Sequence, residues 1–323
     1  MKAAVMYQKG EMPMYAEVNT PIIENENELL INVKACAIKH FDKRVAKGTH
    51  YSNSADTKNA KVIGGDGVGV LADGTRVYAL GVSGMMAEQA IIEKDKMVVL
   101  PDGIDYATAA ALPNGVIGAA MALRFRACMQ AGDTVLINGA TGFTGRLAVQ
   151  IAKHYGAKKI IATGRNNESL KQLLILGADE IIHVDQSNEQ FVAQVKAIHQ
   201  KTPVDVIVDY LWGHSAELLF SSIKGTGSFT HRTRYVSVGS MTGDKMQLSA
   251  EVLRSVNLQL IGSGLGSWTK EEVRELFSVI LPEMLQLAAD GKLNIETTKV
   301  PLKEIDKLWE TDVPGGQRLV VVI

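Results

Sequence analysis

From Asp133 onwards, short apolar segments alternate with helical segments, and this alternation restricts the possible folds more than any other feature of the sequence. The predicted strands are Thr134–Asn138, Lys159–Thr163, Glu180–His183, Asp205–Asp209, Tyr235–Val238 and Asn257–Ile261. The predicted helices between them are Arg146–Tyr155, Glu168–Leu176, Asn188–Gln200, Ser215–Ile223 and Gln247–Arg254. Strands joined in this way by helical crossovers are typical of a doubly wound parallel sheet with right-handed connections.

The segments before Tyr106 differ, because short strands there are separated by glycine-rich turns. The strand candidates are Ala3–Met6, Glu28–Ala35, Gly64–Val70, Arg76–Leu80 and Lys96–Leu100. Irregular strands with many glycines favour a folded-over β barrel over a parallel sheet. A helix is predicted over Ala107–Leu112, which Pro113 is expected to end, and a second helix over Val116–Met129.

The C-terminal part is predicted to contain a long helix, Lys270–Asp290, and then another strand and helix. The last segment, Arg318–Ile323, is almost entirely apolar and is predicted to be a buried strand. Return of this strand to the first domain would make that domain discontinuous. A chain of 323 residues is long enough for two domains of this kind.

Composition excludes several functional classes. The formal net charge is −1 and no Lys/Arg block stands out, so a nucleic-acid partner has no electrostatic support. No apolar run approaches the roughly 20 residues that span a bilayer, and the polar turn after Met6 lacks a signal-peptide core. We expect a cytoplasmic protein without a membrane partner. The two cysteines, Cys36 and Cys128, exclude a disulfide framework, and we expect both to be small buried residues.

The loop between the first strand and the first helix of the alternating region has the composition of a dinucleotide-binding turn. Its central residues are Ala140, Thr141, Gly142, Phe143, Thr144 and Gly145. Small residues at this spacing permit a tight turn, an approach of pyrophosphate to the backbone, and close packing of the helix on the strand. The helix N-terminus then offers N–H groups to the phosphates. A tight structural turn would give the same glycines, but the position between a strand and a helix favours dinucleotide binding.

The end of the next strand indicates which dinucleotide is bound. NAD sites usually place an acid there to bond the ribose 2′-hydroxyl, whereas this strand ends in Gly164, Arg165 and Asn166. Gly164 leaves room, and Arg165 offers a planar donor for a 2′-phosphate. The alternative is an exposed arginine in a loop. We therefore predict NADPH rather than NADH.

Several segments in a fixed order resemble the medium-chain dehydrogenase/reductase superfamily, and within it the zinc-free quinone oxidoreductase-like enzymes. The matching segments are Val33–Asp42 followed by Lys47-Gly48, Ile63–Val70, Ala109–Pro113, Ala148–Lys153, Leu176–Asp179 and Asp205–Asp209. The resemblance implies a GroES-like barrel formed by residues 1–115 and 267–323, and a Rossmann domain formed by residues 116–266. It also implies hydride transfer from NADPH to a quinone or to the C=C bond of an activated alkene.

The resemblance further implies that no zinc is bound. The zinc alcohol dehydrogenases of the superfamily carry Cys and His ligands where this sequence has Lys39 and Gly65. A charged ammonium group does not ligate zinc, and glycine has no ligand atom. Asp66 is left as a possible oxygen ligand, but one carboxylate does not make a site.

Two side chains are candidates for catalysis. Lys39 stands where zinc-free relatives commonly have Asn, so it could donate a hydrogen bond or a charge to the developing enolate or quinol oxygen. Alternatively, it is a rim lysine with its head in solvent, paired with Asp42. Tyr51 follows the Lys47-Gly48 turn, where relatives often have a cleft tyrosine; it could relay a proton or be a surface residue.

Further residues are expected at the cofactor by resemblance or by their position at strand ends. Asn114 lies near the expected nicotinamide, and strand ends contribute Gly239, Ser240, Gly262 and Ser263. The alternative is that these are ordinary strand terminators. His183-Val184 departs from the Asn-Tyr pair of many relatives, which leaves the choice of NADPH mainly to Arg165.

Three functions remain open from the sequence. The first is an NADPH-dependent reductase of quinones or enones, acting as a homodimer joined through the strand near Asn257–Ile261. The second is an NADPH-binding redox sensor or scaffold with little turnover. The third is a zinc alcohol dehydrogenase.

Overall fold

The computed structural model describes residues 1–48 and 60–323. In this part of the chain the strands are β1 (Lys2–Met6), β2 (Met14–Glu17), β3 (Glu28–Ala37), β4 (Lys61–Val62), β5 (Asp66–Val70), β6 (Arg76–Gly81), β7 (Gln89–Val99), β8 (Thr134–Asn138), β9 (Lys159–Gly164), β10 (Glu180–His183), β11 (Val206–Asp209), β12 (Thr233–Ser237), β13 (Leu258–Gly262), β14 (Glu296–Pro301) and β15 (Gln317–Val322). The α-helices are α1 (His40–Ala46), α2 (Tyr106–Met121), α3 (Phe143–His154), α4 (Asn167–Ile175), α5 (Asn188–Lys201), α6 (Gly213–Ile223), α7 (Ala250–Ser255), α8 (Lys270–Glu275), α9 (Leu281–Ala289) and α10 (Ile305–Leu308). The chain divides into two compact units, one of residues Met1–Asn114 with Arg274–Ile323 and one of residues Gly115–Val273.

The unit of residues 115–273 contains the predicted parallel sheet. Its strand order is β10-β9-β8-β11-β12-β13, and every neighbouring pair is parallel. The central strands β8 and β11 are buried along their whole length, as expected for strands with helices on both faces. The order of strands reverses between β8 and β11, which is the switch point of a Rossmann fold. The predicted doubly wound sheet is therefore confirmed.

The other unit contains a closed, mainly antiparallel sheet. Its order is β14-β15-β3-β5-β6-β7, and β3 also pairs with β7, which closes the sheet on itself. A second sheet has the order β2-β1-β4. The last strand, β15, pairs with β3 near the start of the chain. The predicted barrel-like, discontinuous fold is confirmed.

One prediction about helices was wrong, and another helix is present with an irregular turn. Pro113 does not end a helix, because α2 continues through it to Met121. Proline costs an interior helix roughly 3 kcal/mol, and burial of the flanking Ala109–Leu112 segment, at most 1% exposed, outweighs that cost. The helix predicted over 270–290 is present, and it contains a π-helical turn, Leu276–Ile280, which ends two residues before Pro282. Proline cannot donate to the carbonyl four residues earlier, so the turn widens there.

The continuous helix is longer than the apolar run expected from the sequence. Residues Tyr106–Arg126 are long and apolar enough to cross a membrane by composition, and 72% of the most apolar window is buried inside the protein. Core helices of globular proteins have this character. The expectation for the cysteines holds for Cys36, which is buried, and is wrong for Cys128, which is exposed in a left-handed turn with φ +46°.

Candidate functional site

The glycine loop joins the end of β8 to the start of α3 at the switch point of the parallel sheet. Gly139 has φ +81°, a conformation that favours glycine. Gly142 is the N-cap of α3 and has no side chain with which to cap it. Among the described residues, a Cβ on Gly142 would come within 4 Å of Gly139 O alone, at 3.8 Å. The N-terminus of α3 thus has no side-chain cap, an arrangement that fits a dinucleotide pyrophosphate.

Two further glycines set the packing of this loop. A Cβ on Gly145 would lie 2.6 Å from Ala140 Cα, so only glycine lets α3 pack against the loop. A Cβ on Gly164 would collide with Thr141 Cγ2. The room at Gly164 is thus occupied by the Thr141 side chain, whereas the sequence suggested that it served a 2′-phosphate.

The two residues after Gly164 differ in whether their side chains already have hydrogen-bond partners. Arg165 is exposed, and no hydrogen bond or ion pair joins its side chain to the rest of the described chain. Asn166 is the N-cap of α4, and its Oδ1 accepts a 2.8 Å hydrogen bond from Ser169 N. Arg165 therefore has a guanidinium group available for an anion, while the oxygen of Asn166 is already used.

The other predicted cofactor residues of this unit lie at the same sheet edge as the glycine loop, because β8, β12 and β13 are parallel. Gly239 approaches the backbone closely, since a Cβ there would lie 2.7 Å from Tyr210 O. Ser240 is half-buried and Gly262 is exposed. Ser263 is buried, and its Oγ accepts from Trp268 Nε1 at 3.4 Å. Asn114 lies in α2, within the other unit.

Beneath this edge lies a buried carboxylate that the sequence did not single out. Asp209 is 0% exposed. Its two oxygens accept four hydrogen bonds of 2.7–3.0 Å, from Leu211 N, Trp212 N, Asn138 Nδ2 and Tyr235 Oη. Burial and the adjacent Asp209 raise the pKa of Tyr235, so its phenol stays protonated and donates. An acid at the end of a fully apolar strand was the signal that could have revealed this group.

The hydrogen bonds of Asp209 extend to the glycine loop. Asn138 Oδ1 accepts from Thr163 Oγ1 at 2.7 Å, and Thr163 Oγ1 accepts from Gly139 N at 3.1 Å. Trp212, whose N–H bonds to Asp209, has φ +61°, which is rare for a residue with a side chain. The carboxylate therefore links the ends of β8, β9 and β11, and the middle of β12, to the loop through hydrogen bonds.

In the barrel-like unit, Lys39 lies in a cluster of buried charges. Its side chain is 2% exposed, and Nζ lies 3.2 Å from Asp42 Oδ2 and in closer contact with Asp66 Oδ1. Tyr78 Oη donates to Asp66 Oδ2 at 2.8 Å. Burial lowers the pKa of Lys39, but Asp42 and Asp66 raise it more, so the net shift is upward and the ammonium is charged. The alternative of a lysine head in solvent is wrong, whereas the pairing with Asp42 is observed.

A second cation stands near the same carboxylates. Burial lowers the pKa of Arg318 to about 10, while Asp42 and Asp66 act in the opposite direction. Arg318 Nη2 also lies 3.5 Å from Asn114 Oδ1. Burial raises the pKa of Asp42, and the adjacent Lys39 opposes that rise. The cluster thus contains two cations and two carboxylates in nearly dry surroundings.

The donor set at this place does not fit a zinc ion. A lysine ammonium lies between the two carboxylates, and Gly65 beside Asp42 offers no ligand atom. Within residues 1–48 and 60–323, no three His, Cys, Asp or Glu side chains converge as metal ligands would. Tyr51, the other catalytic candidate, lies outside the described residues.

The known proteins that this chain resembles in sequence are dehydrogenases and quinone oxidoreductases. A family model described as zinc-binding dehydrogenase matches residues 144–281. The quinone oxidoreductase of Sus scrofa is 29% identical over 277 residues, covering 83% of this chain and 80% of that protein. The quinone oxidoreductase of Homo sapiens is 27% identical over 328 residues, covering 98% and 95%.

Solved structures agree with these relatives. The quinone oxidoreductase of Thermus thermophilus, solved alone and in complex with NADPH, superposes with a TM-score of 0.79 at 25% identity and covers 100% of both chains. The order of motifs, the two observed sheets and these relatives lead to one assignment. In sequence and fold, the chain is similar to the quinone oxidoreductase-like enzymes of the medium-chain dehydrogenase/reductase superfamily.

Proposed function

We propose that this protein is a zinc-independent oxidoreductase that transfers hydride from NADPH to a quinone or to the C=C bond of an α,β-unsaturated carbonyl. The observation that carries the proposal is the glycine loop at the switch point of the parallel sheet, which leads into α3 with no side-chain cap at Gly142. The quinone oxidoreductases among the relatives support the reaction type. Residues 116–266 would bind the dinucleotide, and residues 1–115 with 267–323 would form the catalytic domain.

The proposed cofactor residues divide into three groups. The loop Ala140–Gly145 faces the pyrophosphate, and Gly164–Asn166 lie toward the adenosine end. Asn114, Gly239, Ser240, Gly262 and Ser263 are proposed for the nicotinamide end. NADPH is favoured over NADH because Arg165 is exposed and no acid ends β9.

Bound NADPH supplies the hydride, and the side chains supply orientation and electrostatic stabilisation. The acceptor oxygen gains negative charge during transfer and requires a hydrogen-bond donor nearby. Lys39 would have to leave two buried carboxylates to reach a substrate, so we propose that it acts through the buried cluster. Tyr51 remains the candidate from the sequence for direct contact with the acceptor.

Steady-state oxidation of NADPH with a panel of quinones and enones tests the proposed reaction. We expect turnover with at least one acceptor class, and no loss of activity after dialysis against a chelator. Tight NADPH binding without turnover on any acceptor would favour the redox-sensor alternative. Stoichiometric zinc in the active protein would instead favour an alcohol dehydrogenase.

The role of Arg165 is tested by its replacement with alanine. We expect Arg165→Ala to raise the KM for NADPH about tenfold or more and to change the KM for NADH little, because only NADPH carries the 2′-phosphate. Steady-state kinetics with both cofactors measures the difference. Equal changes for the two cofactors would contradict a contact with the 2′-phosphate.

A homodimer joined through β13 is also proposed. This strand ends the parallel sheet, Leu260 on it is 37% exposed, and no described strand pairs with its outer edge, which could therefore pair with a second copy. A monomer mass by light scattering would contradict it. The proposal includes a cytoplasmic location and no nucleic-acid or membrane partner, supported by the near-zero net charge.

A further inference from the structure

Arg146 follows the last glycine of the loop and lies in the first turn of α3. Its side chain is nearly inaccessible, with 8% of the residue exposed. A positive charge in the first turn of a helix is disfavoured by the helix dipole, which places partial positive charge at the same end. Burial adds a further cost for a cation that has no partner of opposite charge. An anion from elsewhere would therefore stabilise a cation at this position.

The partners of Arg146 within the chain are neutral. Nε donates to the backbone carbonyl of Thr141 at 3.3 Å, and Nη2 donates to Gln172 Oε1 at 2.6 Å. No Asp or Glu of the described chain lies within ion-pair distance. Arg126 and Arg234, which are also largely buried in this unit, pair with Glu272 and Asp133 respectively. Arg146 thus differs from comparable arginines in lacking a carboxylate.

The neighbours of Arg146 place it on the adenosine side of the loop. It holds the carbonyl of Thr141, and the Thr141 side chain packs against Gly164 at the end of β9. Gln172, its second partner, belongs to α4, the helix that follows Arg165. In a Rossmann fold the end of this strand receives the adenosine ribose.

We propose that Arg146 is a second determinant of NADPH specificity, whose charge is balanced by the phosphate groups at the adenosine end of the bound dinucleotide. It acts through its charge and by holding the Thr141 carbonyl. This inference rests on the proposed function, because it takes the glycine loop to bind NADPH.

The most informative variant leaves Arg146 in place and supplies the missing carboxylate. Gln172→Glu puts an acid against the guanidinium at an exposed position of α4. We expect ligand-free Gln172→Glu to melt at the same temperature as wild type or a higher one. Its affinity for NADPH should fall about tenfold or more, and its affinity for NADH should change much less. Titration calorimetry with both dinucleotides and thermal unfolding measure these effects.

A matched control adds the same charge elsewhere. The control is Gln200→Glu. Gln200 is exposed in the last turn of α5, which precedes the start of β11 and so lies at the end of the sheet away from the glycine loop. It should leave both affinities unchanged. Arg146→Gln, which removes the cation, should lower the affinity for NADPH in the same way as Gln172→Glu. Arg146→Lys, which keeps a positive charge, should retain part of the affinity.

The outcomes separate the inference from the proposed function. If the wild-type protein binds and oxidises NADPH, but Gln172→Glu and Arg146→Gln bind it as tightly as wild type, the inference is wrong and the proposed function stands. Equal losses of affinity for NADPH and NADH would show that Arg146 has only a structural role and would also overturn the inference. A wild-type protein that binds no dinucleotide would overturn both.

Discussion

Each unit of this protein buries carboxylates, and the two units stabilise them by different means. In the barrel-like unit Asp42 and Asp66 are held by the ammonium of Lys39. In the parallel-sheet unit Asp209 forms no ion pair with the described residues and accepts hydrogen bonds from neutral donors instead. A buried negative charge requires either a counter-ion or several directed donors, and this molecule uses one solution in each unit.

The two units should respond differently when one stabilising side chain is removed. In the barrel-like unit the Lys39 ammonium contacts both carboxylates, so its loss removes the direct ion pair of each and leaves only the nearby Arg318 as a cation. Four separate donors divide the compensation, so loss of one leaves the others in place. We therefore expect single substitutions to reduce stability more in the Lys39 cluster than around Asp209.

The largest effect is expected for Lys39→Met, which keeps the length of the side chain and removes its charge. Two buried carboxylates then lose their nearest cation, and we expect a loss of about 3–5 kcal/mol in the free energy of unfolding. Thermal and urea unfolding measure it. Lys47→Met is the matched control, because Lys47 is 52% exposed and pairs with Glu310 only at the surface, where a pair contributes at most about 1 kcal/mol. Equal losses for the two variants would show that the cluster is not electrostatically coupled.

A smaller effect is expected for Asp209→Asn. The amide keeps the shape but replaces one acceptor oxygen by an NH2 group, so some of the four donors lose their partner at a cost of about 1–3 kcal/mol. The loop that Asp209 holds should also shift, which we expect to raise the KM for NADPH more than it lowers kcat. A stability loss as large as that of Lys39→Met would contradict the distinction between the two units.

The smallest effect concerns alkaline pH. Burial and Asp66 raise the pKa of Tyr78, and burial and Asp209 raise that of Tyr235. Above the ordinary value of 10.0, the unfolded chain loses phenolic protons that the folded protein keeps. Stability therefore falls as pH rises beyond 10, by up to about 1.4 kcal/mol per pH unit for each tyrosine, and is unaffected by these groups at neutral pH.

Urea unfolding of Tyr78→Phe and Tyr235→Phe between pH 8 and 11 checks this expectation. Each variant should be less stable than wild type at pH 8, because a hydrogen bond to a carboxylate is lost. Each should also lose less stability than wild type as the pH rises. Profiles parallel to that of the wild type would contradict the raised pKa values.

The sequence predicted the parallel sheet well because its strands are short, apolar and separated by helices of ordinary length. The glycine loop was equally clear, since the spacing of small residues reflects backbone geometry alone. The structures around Pro113 and Lys39 were harder to predict. Local preferences favour a helix end at Pro113 and a solvent-exposed ammonium at Lys39, whereas tertiary packing keeps the helix continuous through Pro113 and buries Lys39. Asp209 and Arg146 went unnoticed because their roles depend on which distant side chains surround them.

The pairing of β15 with β3 has a consequence for biosynthesis. Residues 115–273 form one contiguous unit and can fold while later residues are still being translated. The barrel-like sheet cannot be completed until residues 317–322 have been synthesised, because Val320–Val322 pair with Ala35–Ala37. During that interval β3 presents an unpaired, apolar edge to other nascent chains. The order of the segments therefore makes the first part of the chain the last to be protected from aggregation.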